Sequence, residues 1–235
     1  MPAAAHILAA PTAPTADGVV LPDWLLRDPV GTRHTRRYRI AKRCLDVLVA
    51  SALSVLTFPA VVVAAALVKI TSPGGPAFYR QERTGQNGER FTILKLRTMV
   101  PDADARRAGL AHLNSRTWPD FKIVNDPRVT RVGRVLRASS IDELPQLWAV
   151  VGGSMSLVGP RPTSMTADKY ADWQHVRLTV PAGLTGLWQI VARDDPSFDV
   201  RVHLDAAYVE RRSFRLDVEI LWRTVPAVLR VRGGR

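Results

Sequence analysis

Apolar residues run almost without interruption from Leu45 to Val68, 24 positions whose one charge is Asp46 at the edge. A helix of that length is about 36 Å long, enough to cross a hydrocarbon core of about 30 Å. The plain expectation is a spanning helix. Pro59 opposes it, because a proline inside a helix frees the carbonyl four residues back, here Val55. The flanks oppose it too. Arg33, Arg36, Arg37, Arg39, Lys42 and Arg43 precede the run, and Lys69, Arg80, Arg83, Arg90, Lys95 and Arg97 follow it, so charge selects no inner side. A helix that enters, bends at Pro59 and returns to the same face answers both objections. The pattern alone leaves the spanning and re-entrant readings open.

Thr71-Ser-Pro-Gly-Gly-Pro76 breaks the run. Ala77–Arg83 and Arg90–Arg97 then flank Gly85–Glu89, and Asn87-Gly88 predicts a hairpin between two short strands. Pro101–Trp118 is polar and Ala-rich, with Asp102 or Asp104 placed to cap a short helix to Asn114. Arg128, Arg131 and Arg134 recur every third residue and predict a basic stripe on one helical face. Arg137, next in the series, approaches Asp142 and Glu143.

Ser140-Ile-Asp-Glu143 has the form of a capping box. Pro145 argues against Ser140 as the N-cap, since it then falls at the fifth helical position, whereas an Asp142 cap places it at the third. Successive helical side chains point about 100° apart, so Asp142 and Glu143 fit two different roles. Leu147–Val151 ends at the helix stop Gly152-Gly153. In Gly159-Pro-Arg-Pro162 two prolines fix the backbone on either side of Arg161, which is either a surface turn or a preorganised anion clamp. Asp168–Leu178 reads as a short helix with surface charges, and Asp199–Arg211 as a longer one. Leu216–Leu229 is amphipathic; it packs on the core or lies in a membrane interface with Trp222 at headgroup level.

Composition narrows the chemistry. Of 235 residues, 33 are Lys or Arg and 21 Asp or Glu, a net charge of +12 that implies an anionic partner: nucleic acid, acidic lipid or phosphorylated substrate. The single Cys44 excludes an intrachain disulfide and a cysteine zinc site, and the five histidines show no metal-ligand spacing. Residues 1–32, rich in Ala, Pro and Thr, read as an irregular tail without a signal-peptide pattern. An acidic pair among fixed arginines points to phosphate chemistry.

Asn125-Asp-Pro-Arg-Val-Thr-Arg-Val-Gly-Arg134, Ile141-Asp-Glu-Leu-Pro-Gln-Leu147, Ser156-Leu-Val-Gly-Pro-Arg-Pro162 and Gly183-Leu-Thr-Gly-Leu-Trp-Gln189 occur in one order. In that order they resemble the bacterial sugar transferase family of monotopic phosphoglycosyl transferases, from about Arg39 to about Thr224. The resemblance implies transfer of a sugar phosphate from a UDP-sugar to undecaprenyl phosphate, with Mg²⁺ as cofactor and UMP released. It assigns Asp142 as nucleophile and metal contact, with Glu143 assisting. Lys95, Arg97, Arg137, Arg161 and Arg193 are the expected phosphate-binding cations. It also implies a re-entrant helix kinked at Pro59. Phe58 stands where members often carry Ser, so Ser54 or Thr57 would have to serve the freed backbone groups. Arg193 follows Ala192 where members usually have Gly.

The expected fold is α+β and mainly helical, a membrane-associated monotopic domain with a re-entrant helix and a small β-hairpin. Residues 1–40 form a flexible basic tail, 41–72 the membrane-inserted helix, and 73–235 the catalytic domain. Expected partners are UDP-sugar, undecaprenyl phosphate and membrane lipid, with no nucleic acid; the oligomeric state, a homodimer included, stays open. The expected location is the cytoplasmic face of the bacterial plasma membrane, at the first membrane step of exopolysaccharide or O-antigen type synthesis. Two other readings compete: a membrane-tethered, non-catalytic binder of nucleic acid or anionic lipid, and a classical glycosyltransferase that would release UDP.

Overall fold

The computed structural model describes residues 21–26, 35–116, 119, 121–193 and 195–230. Most of the expected tail lies outside these residues. Asp23–Leu26 nevertheless form a short helix, α1, with Leu25 fully buried in the main core. The Arg223 guanidinium stacks over the Trp24 ring at 4.4 Å. The irregular-tail expectation fails at this point because an aromatic and an aliphatic side chain find a core site.

Helix α2 spans Arg36–Thr71, and the Thr35 hydroxyl caps it by accepting from the Tyr38 N–H at 3.2 Å. It is unbroken at Pro59, so the expected helix–break–helix is not seen. The Thr57 hydroxyl donates to the Leu53 carbonyl at 2.7 Å, not to the carbonyl of Val55, and the Ser54 hydroxyl has no partner among the described residues. Before Pro59, Lys42 donates to the Val158 carbonyl at 3.0 Å and pairs with Asp217 at 3.1 Å. Arg43 donates to the carbonyls of Val150 and Val151, and Asp46 accepts from the Leu157 N–H at 2.9 Å. Beyond Pro59, Val61, Ala64 and Val68 pack with Leu96 and Leu136. Between these anchors Val55 is 78% and Leu56 75% exposed. Both arms of α2 are docked on one body, and its apolar middle is left uncovered.

Strands β1 (Phe78–Thr84) and β2 (Arg90–Leu96) pair antiparallel, Tyr79 opposite Lys95. The expected hairpin turn is present, with Asn87 at φ 54° and Gly88 at φ 79°. Helix α3 (Arg131–Ala138) starts at Thr130, whose hydroxyl accepts from the Gly133 N–H at 2.9 Å. A Cβ at Gly133 would collide with the Thr98 carbonyl, so the glycine lets α3 sit directly on the chain leaving β2. Ser140 at φ 58° turns the chain into a 3₁₀ helix, Ile141–Gln146, which continues as α4 (Leu147–Gly152).

A second sheet was not legible in the sequence. Strand β3 (Ser156–Val158) pairs parallel with β4 (Gly183–Thr185). The turn after β3 crosses this region backbone on backbone: a Cβ on Gly159, Gly183 or Gly186 would strike main-chain oxygen. Helices α5 (Leu187–Val191), α6 (Phe198–Arg211) and α7 (Phe214–Arg230) complete the body. Leu204, Tyr208, Leu216 and Ile220 fill the core between α6 and α7. One face of α7 packs on the core as expected, through Leu216 and Ile220, and Phe214, Val218, Trp222 and Val225 of the helix are exposed.

Candidate active site

Asp142 and Glu143 lie in the first turn of the 3₁₀ helix, and their side chains part company as neighbours on a helix must. Glu143 does not close a capping box. Ser140 makes no side-chain cap, and the Glu143 carboxylate instead takes Lys95 of β2 at 3.2 Å and Arg161. Burial alone would raise the Glu143 pKa, but Arg161 and then Lys95 overcome it and hold the group well below the carboxylate range. Burial lowers the Lys95 pKa, and Glu143 works against that shift.

Asp142 makes no hydrogen bond or ion pair among the described residues, and it lines the wall of a cleft of about 530 Å³. Burial, then the Glu143 charge, push its pKa up to about 6; Lys95, Arg137 and Arg161 pull the other way. The result is one carboxylate locked by cations beside one left uncommitted. Arg137 reaches the same cleft from the last turn of α3, its Nε donating to the Thr98 hydroxyl at 2.9 Å. Arg193 lines the cleft from the end of α5.

Arg161 is placed by a buried pair that the sequence hid. Its backbone carbonyl accepts from Arg177 Nη2 at 2.6 Å, and the same nitrogen sits 2.9 Å from Asp205 Oδ2. Both side chains are almost fully buried, Arg177 1% exposed and Asp205 2%. The Arg201 guanidinium, four residues before Asp205, stacks over Trp188 at 3.9 Å. Arg177 lies in a 3₁₀ turn, Asp172–Leu178, where a surface-charged helix was expected. No periodicity in the sequence marks it, because its partner is supplied by α6.

Arg97 lines the same cleft as the acidic pair but is not hydrogen-bonded to it. It is 7% exposed, and its guanidinium donates to the Ser72 carbonyl and packs on Gly75, fastening the chain that leaves α2. Arg128 is not part of a helical stripe, since α3 begins at Arg131. It forms a buried two-point pair with Asp126, at 2.9 and 2.7 Å, which the Asp-Pro-Arg sequence folds back on itself. Arg131 and Arg134 are exposed as expected.

No group of three or more His, Cys, Asp or Glu able to hold a metal occurs among the described residues. Asp142 is a single free oxygen donor, because Glu143 is occupied by two cations. That set suits Mg²⁺, which keeps several waters and takes its remaining oxygens from substrate phosphates.

A second cleft, of about 630 Å³, lies on the other side of Glu143. The two share Arg83, Phe121, Ser140, Glu143, Thr163 and Arg193 as a common wall. Asp142, Lys95 and Arg137 face only the first, and Arg161 only the second of the two.

The sequence signature described as Bacterial sugar transferase matches residues 37–231. The chain belongs to the bacterial sugar transferase family. It is 43% identical over 200 residues to the exopolysaccharide production protein ExoY of Rhizobium meliloti (strain 1021), covering 83% of this chain and 88% of that one. It is 41% identical over 199 residues to the UDP-glucose:undecaprenyl-phosphate glucose-1-phosphate transferase of Caulobacter vibrioides, covering 81% and 70%. A UDP-galactose-lipid carrier transferase of Erwinia amylovora is 38% identical over 207 residues; these cover 86% of this chain but 43% of that longer protein. In this family member the Ala192 that replaces the usual glycine has a negative φ, −140°, so the left-handed backbone that favours glycine is not required before Arg193.

Proposed function

We propose that this sugar transferase moves a sugar 1-phosphate from a UDP-sugar to undecaprenyl phosphate, releasing UMP, through an aspartyl phosphosugar on Asp142. The observation that carries the reading is the uncommitted Asp142 carboxylate beside a Glu143 locked by Lys95 and Arg161. A binder of anions needs the cations but no free carboxylate among them.

The first step forms a bond from Asp142 Oδ to the sugar-bearing phosphorus and breaks the bond to the bridging oxygen, which leaves on UMP. In the second step an oxygen of the lipid phosphate bonds to the same phosphorus and the Asp142 carboxylate departs. Lys95, Arg137 and Arg193, which line the same cleft as Asp142, meet charge on the phosphate oxygens in this reading. Glu143 orients Lys95 and Arg161 and stays ionised throughout. Mg²⁺, held by Asp142 and the diphosphate, would supply charge neutralisation. A covalent relay suits one water-soluble and one membrane-confined substrate, because the two anions need not be bound together.

The two docked arms of α2 and its uncovered apolar middle support a monotopic attachment, in which both arms stay on one membrane face. With the basic flanks, this favours the cytoplasmic face of a bacterial plasma membrane. The reading places the chain at the first membrane step of exopolysaccharide or O-antigen type synthesis. Purified membranes incubated with a panel of UDP-sugars and undecaprenyl phosphate test it: UMP must appear with one sugar or a few. Release of UDP instead would indicate direct glycosyl transfer, and steep salt-dependent DNA binding without nucleotide release would indicate a passive binder.

A further inference from the structure

We propose that Arg83 is a catalytic residue: its guanidinium binds the phosphoryl group in transfer and stabilises the charge on it, both when that group joins Asp142 and when it leaves. The proposal rests on the sugar-phosphate transfer reading. It adds a cation from β1 that the motifs around Asp142 and Arg161 do not contain, and that the sequence shows only as one of the basic residues after the long apolar run.

Strand alternation turns Arg83 toward the site. Tyr79, Gln81 and Arg83 fall on one face of β1, and all three line the cleft that holds Asp142; Arg80 and Glu82, between them, do not. Tyr79 is the cross-strand neighbour of Lys95, so this row runs along the cleft wall from Lys95. At its end Thr84 fastens β1 to the chain that follows Arg161. Its N–H donates to the Thr163 carbonyl at 2.9 Å and its hydroxyl to the Met165 carbonyl at 2.6 Å. Arg83 is therefore carried on pinned backbone, as Arg161 is. Two uncharged groups orient its guanidinium: Nη1 donates to the Ser164 hydroxyl at 2.7 Å and Nη2 to the Gln81 side-chain oxygen at 2.5 Å. The residue stands in the wall common to both clefts, together with Glu143 and Arg193.

A purely structural role would make Arg83 a tether between β1 and Ser164. That tether exists without it. Arg90 of β2 donates to the Thr84 hydroxyl at 2.8 Å and to the Ser164 carbonyl at 3.1 Å, pairs with Glu82 at 3.4 Å, and lines neither cleft. Arg83 instead faces other cations. After burial, the charges of Arg161 and Arg83 push the Lys95 pKa down, while Glu143 works against them. Cations brought this close repel, and an anion bound among them relieves the repulsion. The planar guanidinium fork matches two oxygens of one phosphoryl group. In the first step Asp142 Oδ bonds to the sugar-bearing phosphorus as its bond to the UMP oxygen breaks. In the second an oxygen of the lipid phosphate bonds to that phosphorus as the Asp142 carboxylate leaves. The same non-bridging oxygens carry the shifting charge in both, and Arg83 meets it there, forming no bond to phosphorus and keeping its proton.

The test follows each half-reaction in Arg83→Ala, Arg83→Lys and Arg80→Ala. Protein is incubated with radiolabelled UDP-glucose or UDP-galactose without lipid, then chased with undecaprenyl phosphate in detergent micelles. Arg83→Ala should slow labelling and discharge by about tenfold or more each, and kcat should fall by a larger factor than KM rises. Added guanidinium ion should restore part of the Arg83→Ala rate and leave wild type unchanged, which loss of a tether would not produce. Arg80→Ala removes the same charge from the other strand face and should keep the wild-type rate. Either half-reaction at the wild-type rate in Arg83→Ala, no response to guanidinium, or an equal loss in Arg80→Ala overturns the proposal. If Arg83→Ala does not fold, Arg83→Lys decides: slowing of both steps by about threefold or more sustains the proposal, and anything smaller overturns it. If wild-type protein releases UMP but never takes label, the aspartyl relay fails, and UMP turnover with guanidinium rescue still judges Arg83. If it releases no UMP, the transfer reading fails, and calorimetric titration with inorganic pyrophosphate decides: weaker binding to Arg83→Ala than to wild type sustains Arg83 as a phosphate ligand, and equal binding overturns it.

Discussion

Asp142 can attack phosphorus only as its anion. Burial and the Glu143 charge raise its pKa to about 6. The ionised fraction is then about 0.9 at pH 7 and about 0.1 at pH 5, a roughly tenfold loss of reactive carboxylate. The rate should rise with pH and level off above the pKa. The quantity to follow is kcat/KM for the UDP-sugar, read from UMP release at low substrate, because it reports groups of the free enzyme. Glu143→Gln adds a signed control. It removes the charge that ranks second to burial in raising Asp142, and it leaves Lys95 and Arg161, both of which lower it, without their counter-ion. The acid limb should therefore move to lower pH even if the maximal rate falls. A profile flat from pH 7 to 5, or an acid limb that stays or moves upward in Glu143→Gln, refutes the electrostatic argument.

Arg177→Met leaves the buried Asp205 carboxylate unpaired and should cost about 3–5 kcal/mol, read as a lowered midpoint in denaturant unfolding, with Arg161 losing its backbone support. Leu25→Ala should cost about 2–5 kcal/mol in the same measurement, since the side chain is fully buried; no change would show that α1 is not part of the fold. Gly133→Ala forces α3 away from the Thr98 carbonyl and should destabilise by about 1–3 kcal/mol. The same variant should raise KM for the UDP-sugar as Arg137 loses its contact with Thr98.

What the sequence disclosed was local. Asn87-Gly88 carries its own turn conformation, and the two prolines around Arg161 fix their own backbone, so both could be read from residue type. That Asp142 and Glu143 face different surroundings followed from helical geometry. What stayed hidden was set by partners far along the chain. Nothing near Glu143 announces Lys95, 48 residues earlier, and nothing near Arg177 announces Asp205. Spacing misled at Arg128, where an ion pair two residues back outcompeted a helical stripe. The contact of Arg97, just past the end of β2, with the Ser72 carbonyl was equally hidden, since its partner lies 25 residues back. The parallel β3–β4 pair was invisible because three-residue strands carry no period, although the glycines that let their backbones approach were in view.

The most direct test is intact-mass analysis of the purified protein after exposure to UDP-sugar and Mg²⁺ without lipid. The account predicts a hexose-phosphate adduct on the peptide carrying Asp142, discharged by undecaprenyl phosphate and missing in Asp142→Asn. Turnover with no adduct on the polypeptide, or an adduct that persists in Asp142→Asn, would contradict it.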